Sequence, residues 1–61
     1  MMNVVQVDKI DELAEQNGAT LADVEVSPAP GAWVRVRIFE PGGDDKPIAR
    51  CDVGPEGEVR T

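Results

Sequence analysis

From Ala32 to Glu40 the chain alternates strictly, with Val34, Val36 and Ile38 on one side and Trp33, Arg35, Arg37 and Phe39 on the other. A period of two over that length predicts a β-strand with one buried face. A single strand has nothing to bury that face against, so the neighbouring segments must complete the sheet. Two of them have the right pattern. From Ala22, Val24 and Val26 alternate with Asp23, Glu25 and Ser27, until Pro28-Ala29-Pro30-Gly31 breaks the run. After a turn at Pro41-Gly42-Gly43-Asp44-Asp45, Ile48–Val53 sets Ala49, Cys51 and Val53 against Ile48, Arg50 and Asp52. Gly54-Pro55-Glu56-Gly57 closes that strand, and Glu58–Thr61 is either a short fourth strand or a frayed tail.

A trial antiparallel register places Glu25 opposite Arg35, Asp23 opposite Arg37, Arg35 opposite Asp52, Val36 opposite Cys51 and Phe39 opposite Ile48. Every inner position is then apolar, and the outer face becomes a ladder of opposite charges. A slip of one residue would bury those charges, so the pattern resists it.

Ahead of the strands, Ile10, Leu13 and Ala14 recur at helical spacing, with Val7 extending the stripe. Asp8 is a good N-cap with Asp11 three residues on, and Gly18 suits a left-handed stop, so a helix is expected over residues 9–17. Met1–Val7 reads either as a short strand or as an extension of that helix. The expected fold is therefore α+β: one helix on a three-stranded antiparallel meander, as a single domain over residues 1–61.

With 61 residues the core is small, and the usual staples are missing. Cys51 is the only cysteine, so no intrachain disulfide forms. Without histidine or a cysteine cluster no metal site is expected, and no cofactor either. The Asp44-Asp45 pair near Gly42-Gly43 lacks the alternating ligands and closing glutamate of a calcium loop. No apolar run is long enough to span a membrane, and residues 1–12 lack the pattern of a secretory signal. An unpaired cysteine fits the cytoplasm.

Catalysis is not expected. The chain has no His or Tyr, Ser27 has no base beside it, and Cys51 falls on the inner, core-facing side.

Net charge is −6, and most of it lies in the first half, where Asp8, Asp11, Glu12, Glu15, Asp23 and Glu25 face Lys9 alone. That sign disfavours direct binding to nucleic acid. Residues Leu13–Val24 resemble a DNA-binding helix-turn-helix, with Ala14, Gly18 and Val24 at its small-residue, turn-glycine and buried-aliphatic positions. The resemblance implies a second helix capped by Thr20 and Asp23. Such a helix would offer Asp23 and Glu25 to the bases, with no Lys, Arg, Asn or Gln.

Two surfaces remain as candidate binding sites. Asp8, Asp11, Glu12 and Glu15 form either a solvated helix face with stabilising N-terminal acids or, with Asp44, Asp45, Glu56 and Glu58, an imitation of nucleic-acid charge. Short acidic phage inhibitors of CRISPR or restriction complexes act in the second way. Trp33, Arg35, Arg37 and Phe39 make an outer sheet face that reads as neutralised by Glu25, Asp23 and Asp52, as a partner surface, or as a stacking platform for single strands.

The expected function is that of a non-enzymatic module. Its partner would be a larger protein or nucleoprotein complex with a basic surface. A self-associating structural or regulatory subunit, a homodimer through the outer sheet face, is the second reading. Neither direct nucleic-acid binding nor membrane association is expected.

Overall fold

The computed structural model describes residues 2–43 and 45–61. The expected turn at 41–45 includes Asp44, which lies outside the described residues, as does Met1. The described elements are one α-helix, α1 (Val4–Gln16), a single 3-10 turn (Leu21–Asp23), and four strands: β1 (Val24–Pro28), β2 (Val34–Phe39), β3 (Pro47–Val53) and β4 (Val59–Arg60). The strands form one antiparallel meander in the order β1-β2-β3-β4. The architecture is α+β, and the second half of the chain does supply a fourth strand.

The helix starts five residues before the expected position, because its cap is Asn3 and not Asp8. Asn3 Oδ1 accepts from the Gln6 backbone N–H at 2.8 Å, and Gln6 Oε1 accepts from the Asn3 N–H at 3.0 Å. This reciprocal box satisfies two of the amide donors that every helix start leaves unpaired. Val4, Val5 and Val7 are thereby drawn into the helix despite their β-branched side chains.

At the other end Gly18 adopts φ +69°, donating to the Glu15 carbonyl, while the Ala19 N–H reaches the Ala14 carbonyl at 2.9 Å. These are the two bonds of a Schellman stop, and the small apolar pair Ala14 and Ala19 is buried beneath it.

The helix-turn-helix expectation fails after Gly18. Thr20 and Asp23 do form a box, in which the Asp23 carboxylate accepts from the Thr20 N–H at 3.1 Å and hydroxyl at 3.2 Å. It caps only the one turn at Leu21–Asp23, after which the alternation of Val24 and Val26 imposes a strand.

That turn also moves the β1–β2 register by two residues. Glu25 lies opposite Arg37 and Ser27 opposite Arg35, in place of the expected Glu25–Arg35 and Asp23–Arg37 pairs. A shift of two leaves each side chain on its expected face.

The β2–β3 register agrees at Arg35–Asp52 and Val36–Cys51 but departs at the end, where Phe39 lies opposite Pro47 rather than Ile48. Pro47 has no N–H to donate, and a bulge beside it leaves Ile48 as the extra residue.

The core consists of Ile10, Ala14, Ala19, Val34, Val36, Ile38 and Val53, with Met2, Leu13, Val24, Val26, Ala49 and Cys51 packed at its margin. Val7 lies outside it, 39% exposed. Its place on the buried helix stripe is taken by Gln6, which is 1% exposed. Gln6 Nε2 donates to the Ala32 carbonyl at 3.0 Å and the Val53 carbonyl at 3.3 Å, tying the helix to both central strands.

Ala32 needs that support, because it holds φ +64° without being glycine, a conformation that costs roughly 1–2 kcal/mol. Gln6→Ala should destabilise the protein by about 3 kcal/mol, since the buried Val53 carbonyl, the part-buried Ala32 carbonyl and a cap donor lose their partner. Gln6→Glu should be destabilising at neutral pH and partly rescued in acid. There, a protonated carboxyl regains a donor, so its contribution is present at low pH and lost as pH rises through its folded pKa. Urea unfolding across pH reads both variants, and midpoints unchanged from wild type would refute the role given to this amide.

Candidate interaction surfaces

The helix presents its carboxylates on one side. With Gln6, Ile10 and Ala14 turned into the core, Asp8, Asp11, Glu12 and Glu15 occupy the opposite arc at intervals of three and four residues, and all are exposed. Earlier initiation at Asn3 changes what these acids do. Asp8 becomes the fifth helical residue, the first turn contains no acid, and Glu15 lies in the last turn beside the negative end of the helix dipole. Asp8 with Glu12, and Asp11 with Glu15, are like-charge neighbours one turn apart, which weakens a helix. Only Lys9 offsets them, through a 3.2 Å pair with Glu12. The stabilising reading of an N-terminal acid cluster is therefore corrected: the row is locally unfavourable.

Of the acids expected from elsewhere in the chain, Glu56 joins this surface. It lines a shallow groove with Val5, Asp8, Lys9, Glu12 and Gly57. The turn that carries it is fixed to the helix start by the Asn3 side-chain amide, which donates to the Pro55 carbonyl at 2.9 Å. Glu58 stays exposed on the sheet side, where its carboxylate lies beside Gly54 and accepts from the Glu56 N–H at 2.8 Å. Asp45 is exposed, and Asp44 lies outside the described residues.

The outer sheet face collects every arginine of the chain. Strand pairing arranges it in two rows, Ser27–Arg35–Asp52–Arg60 and Glu25–Arg37–Arg50. Asp52 is held from both sides, by Arg60 at 3.1 Å and Arg35 at 3.4 Å, and Arg37 pairs with Glu25 at 3.2 Å. Arg50 sits opposite Arg37 with no ion pair among the described residues. The expected neutralisation is thus incomplete, because the Asp23 carboxylate is engaged by Thr20.

Trp33 and Phe39 are half-buried at the two ends of β2. The Arg60 guanidinium lies 4.0 Å above the centre of the Trp33 ring. Gly54 leaves room beside the ring, since a Cβ there would stand 2.5 Å from the Glu58 carboxylate and 3.0 Å from Trp33 Cζ2. Arg50 lies on the outer face as its alternation predicts, whereas Arg60 was not evident from sequence, because the two-residue strand Val59–Arg60 is too short to show alternation.

The remaining chemistry is sparse. Burial, and secondarily the neighbouring Asp52 carboxylate, push the Cys51 thiol above its ordinary pKa, so it stays protonated and weakly nucleophilic at neutral pH. Among the described residues no three metal-ligating side chains converge, and no helix is long and apolar enough to cross a membrane. No protein-family model matches the chain, nor does any curated protein or solved structure.

The Asp52 clasp gives this face a measurable pH dependence. The Arg60 hydrogen bond, the largest influence, holds the Asp52 carboxyl below the usual carboxylate range; desolvation opposes it, and the Arg35 hydrogen bond and the charges of both guanidinium groups add to the lowering. Because the unfolded carboxyl binds a proton at higher pH than the folded one, the clasp is fully formed at neutral pH and released as pH falls through the depressed folded value. Arg60→Ala should move the Asp52 titration upward, towards an ordinary carboxylate. It should also expose Trp33, the sole tryptophan, shifting its emission to the red. Side-chain carboxyl NMR with tryptophan fluorescence tests this; a variant that titrates and emits like wild type would refute the clasp.

Proposed function

We propose that this protein is a non-catalytic binding module that lays its acidic helix face against the basic surface of a larger protein or nucleoprotein complex. The reading is carried by one observation: four exposed carboxylates aligned on one face of a doubly capped helix, with Lys9 alone to offset them. Carboxylates that repel one another one turn apart are retained most readily where an external cation completes them.

The spacing supports a more specific version. From Asp8 to Glu15 the row spans roughly 10 Å of helix axis, or about one charge per 3.5 Å. A single strand of double-helical DNA carries one phosphate per about 3.4 Å of axis. A groove that binds a phosphate backbone would meet a comparable charge density here, on a rigid rod with no bases. The class of activity this fits is occlusion of a nucleic-acid channel, as by a phage-type inhibitor of a CRISPR or restriction complex. The cytoplasm is the compartment in which such a partner is met.

The test is displacement. The protein is titrated into gel-shift and cleavage assays of RNA-guided and restriction nucleases bound to labelled DNA. Release of DNA should weaken steeply with salt, and Glu12→Lys with Glu15→Lys should lower the apparent affinity by at least about tenfold. Displacement indifferent to both changes would overturn the charge-mimic reading, as would failure to displace DNA from any such nuclease at micromolar protein.

A further inference from the structure

We infer that the outer face of the sheet docks the acidic helix face of a second copy of this chain, so that molecules associate head to tail. The two faces belong to opposite layers. The helix turns Gln6, Ile10 and Ala14 to the sheet, leaving its carboxylates on one exterior and the arginines on the other. The shortest extent of the molecule is 18 Å, about twice the ~8–10 Å over which exposed charges are felt at physiological ionic strength. The faces therefore do not neutralise each other within one molecule, despite their opposite signs.

The centre of the sheet face is cationic although the chain is acidic. Its two rows hold Arg35, Arg37, Arg50 and Arg60 against Glu25 and Asp52, an excess of two positive charges (four minus two), with Glu58 beside Trp33 and Asp23 beside Phe39 bounding the patch at its ends. Arg37 and Arg50 face each other directly, and while Glu25 pairs with Arg37 at 3.2 Å, Arg50 has no ion pair among the described residues. From β2 to β4 the arginines extend across two strand spacings, about 10 Å. That matches the length of the Asp8–Glu15 row, roughly 10 Å of helix axis.

Other occupants fit less well. A nucleic-acid strand would need an aromatic ring for stacking, and the face of Trp33 is covered by Arg60 at 4.0 Å. A longer polyanion would also run beyond the patch onto Glu40 and Glu58, both exposed.

Pairing through the β1 edge is restricted as well. The Ala29 N–H bonds the Trp33 carbonyl, so by antiparallel alternation Ser27 and Glu25 bond inward and only Val24, Val26 and Pro28 point to the free edge. The Val24 N–H is taken by the Leu21 carbonyl and Pro28 has none, which leaves Val26 as the single donor.

A contact between different faces is heterologous, so it extends into an open chain or closes into a ring. It uses the same helix face as the function proposed above, and self-association would compete with partner binding there.

Sedimentation velocity over a range of concentrations tests the inference, using Glu12→Gln with Glu15→Gln as one variant and Arg50→Glu as the other. Wild type should form species larger than a monomer at low salt and lose them at about 1 M salt, where the screening length is about 3 Å. Each variant alone should associate at least tenfold more weakly, by roughly the loss of one or two ion pairs. Mixed in equal amounts they should form dimers and stop there, because each supplies the face the other lacks.

Wild type that stays monomeric, a variant that still associates, or a mixture that forms nothing would each overturn the proposal. So would a labelled single-stranded oligonucleotide shifted by wild type and released by Arg50→Glu, which would give the face to nucleic acid. Arg50→Glu leaves the helix face intact, so nuclease displacement by that variant separates the two proposals. Displacement retained with association lost supports both, and displacement lost in wild type while association persists removes only the first.

Discussion

The side-chain amide of Gln6 decides how the two layers meet. It is the buried polar side chain of the described structure, and each of its polar atoms is used: the oxygen closes the helix cap, and the nitrogen reaches the Ala32 and Val53 carbonyls. Those carbonyls lie in the turn before β2 and at the end of β3, so one residue fixes helix start, hairpin turn and strand terminus together. An apolar side chain there would bury about as much surface but leave the carbonyls unpaired, a penalty of roughly 1–3 kcal/mol each. In a chain with no disulfide and a core built largely of valine, isoleucine and alanine, such a bond supplies orientation that packing alone does not.

Orientation is what gives the surface its meaning. A helix on a sheet can rotate about its axis while still burying aliphatic side chains, and Val4, Val5 and Val7 are apolar enough to compete for the interface. All three are exposed instead, because the Gln6 bonds hold the opposite arc inward. The direction of the carboxylate row thus follows from a residue that carries no charge. The same capping box, by starting the helix at Val4, places Asp8, Asp11 and Glu12 mid-helix, beyond the stabilising reach of the dipole's positive end, and Glu15 in the last turn, where the dipole disfavours it.

Much of this was legible in the sequence wherever burial imposes a period. The alternation of Val34, Val36 and Ile38, and of Ala49, Cys51 and Val53, assigned both faces of the central strands correctly because a slip by one residue is expensive. A slip by two costs little in burial, so the β1–β2 register was settled by local devices instead: the Thr20–Asp23 box and the left-handed Gly31-Ala32 turn. The bulge at Pro47 follows from a missing donor, a signal present in the sequence but outweighed by the apolar Ile48 beside it.

Gln6 was hidden for a different reason. A polar residue between valines reads as solvent-facing, and only the carbonyls that await it, distant in sequence, reveal its role. Of the candidate site, the four helix acids emerged as one row, whereas the arginine face was underestimated: Asp23 was counted against it, and Arg60 lies on a strand too short to be seen.

The way the sheet ends constrains how the molecule can meet anything else. Backbone pairing, the commonest route by which a small sheet recruits a partner, is restricted to one donor on β1, and at the far edge β4 spans only two residues. Recognition is then left to side chains on the two broad faces, and those faces differ in sign. A net charge of −6 describes neither of them. It governs the approach from a distance, whereas within a screening length a partner meets one layer at a time. The acids on the helix and the arginines at the centre of the sheet are thus held on opposite layers, so the same protein presents an anion or a cation depending on which layer is turned outward.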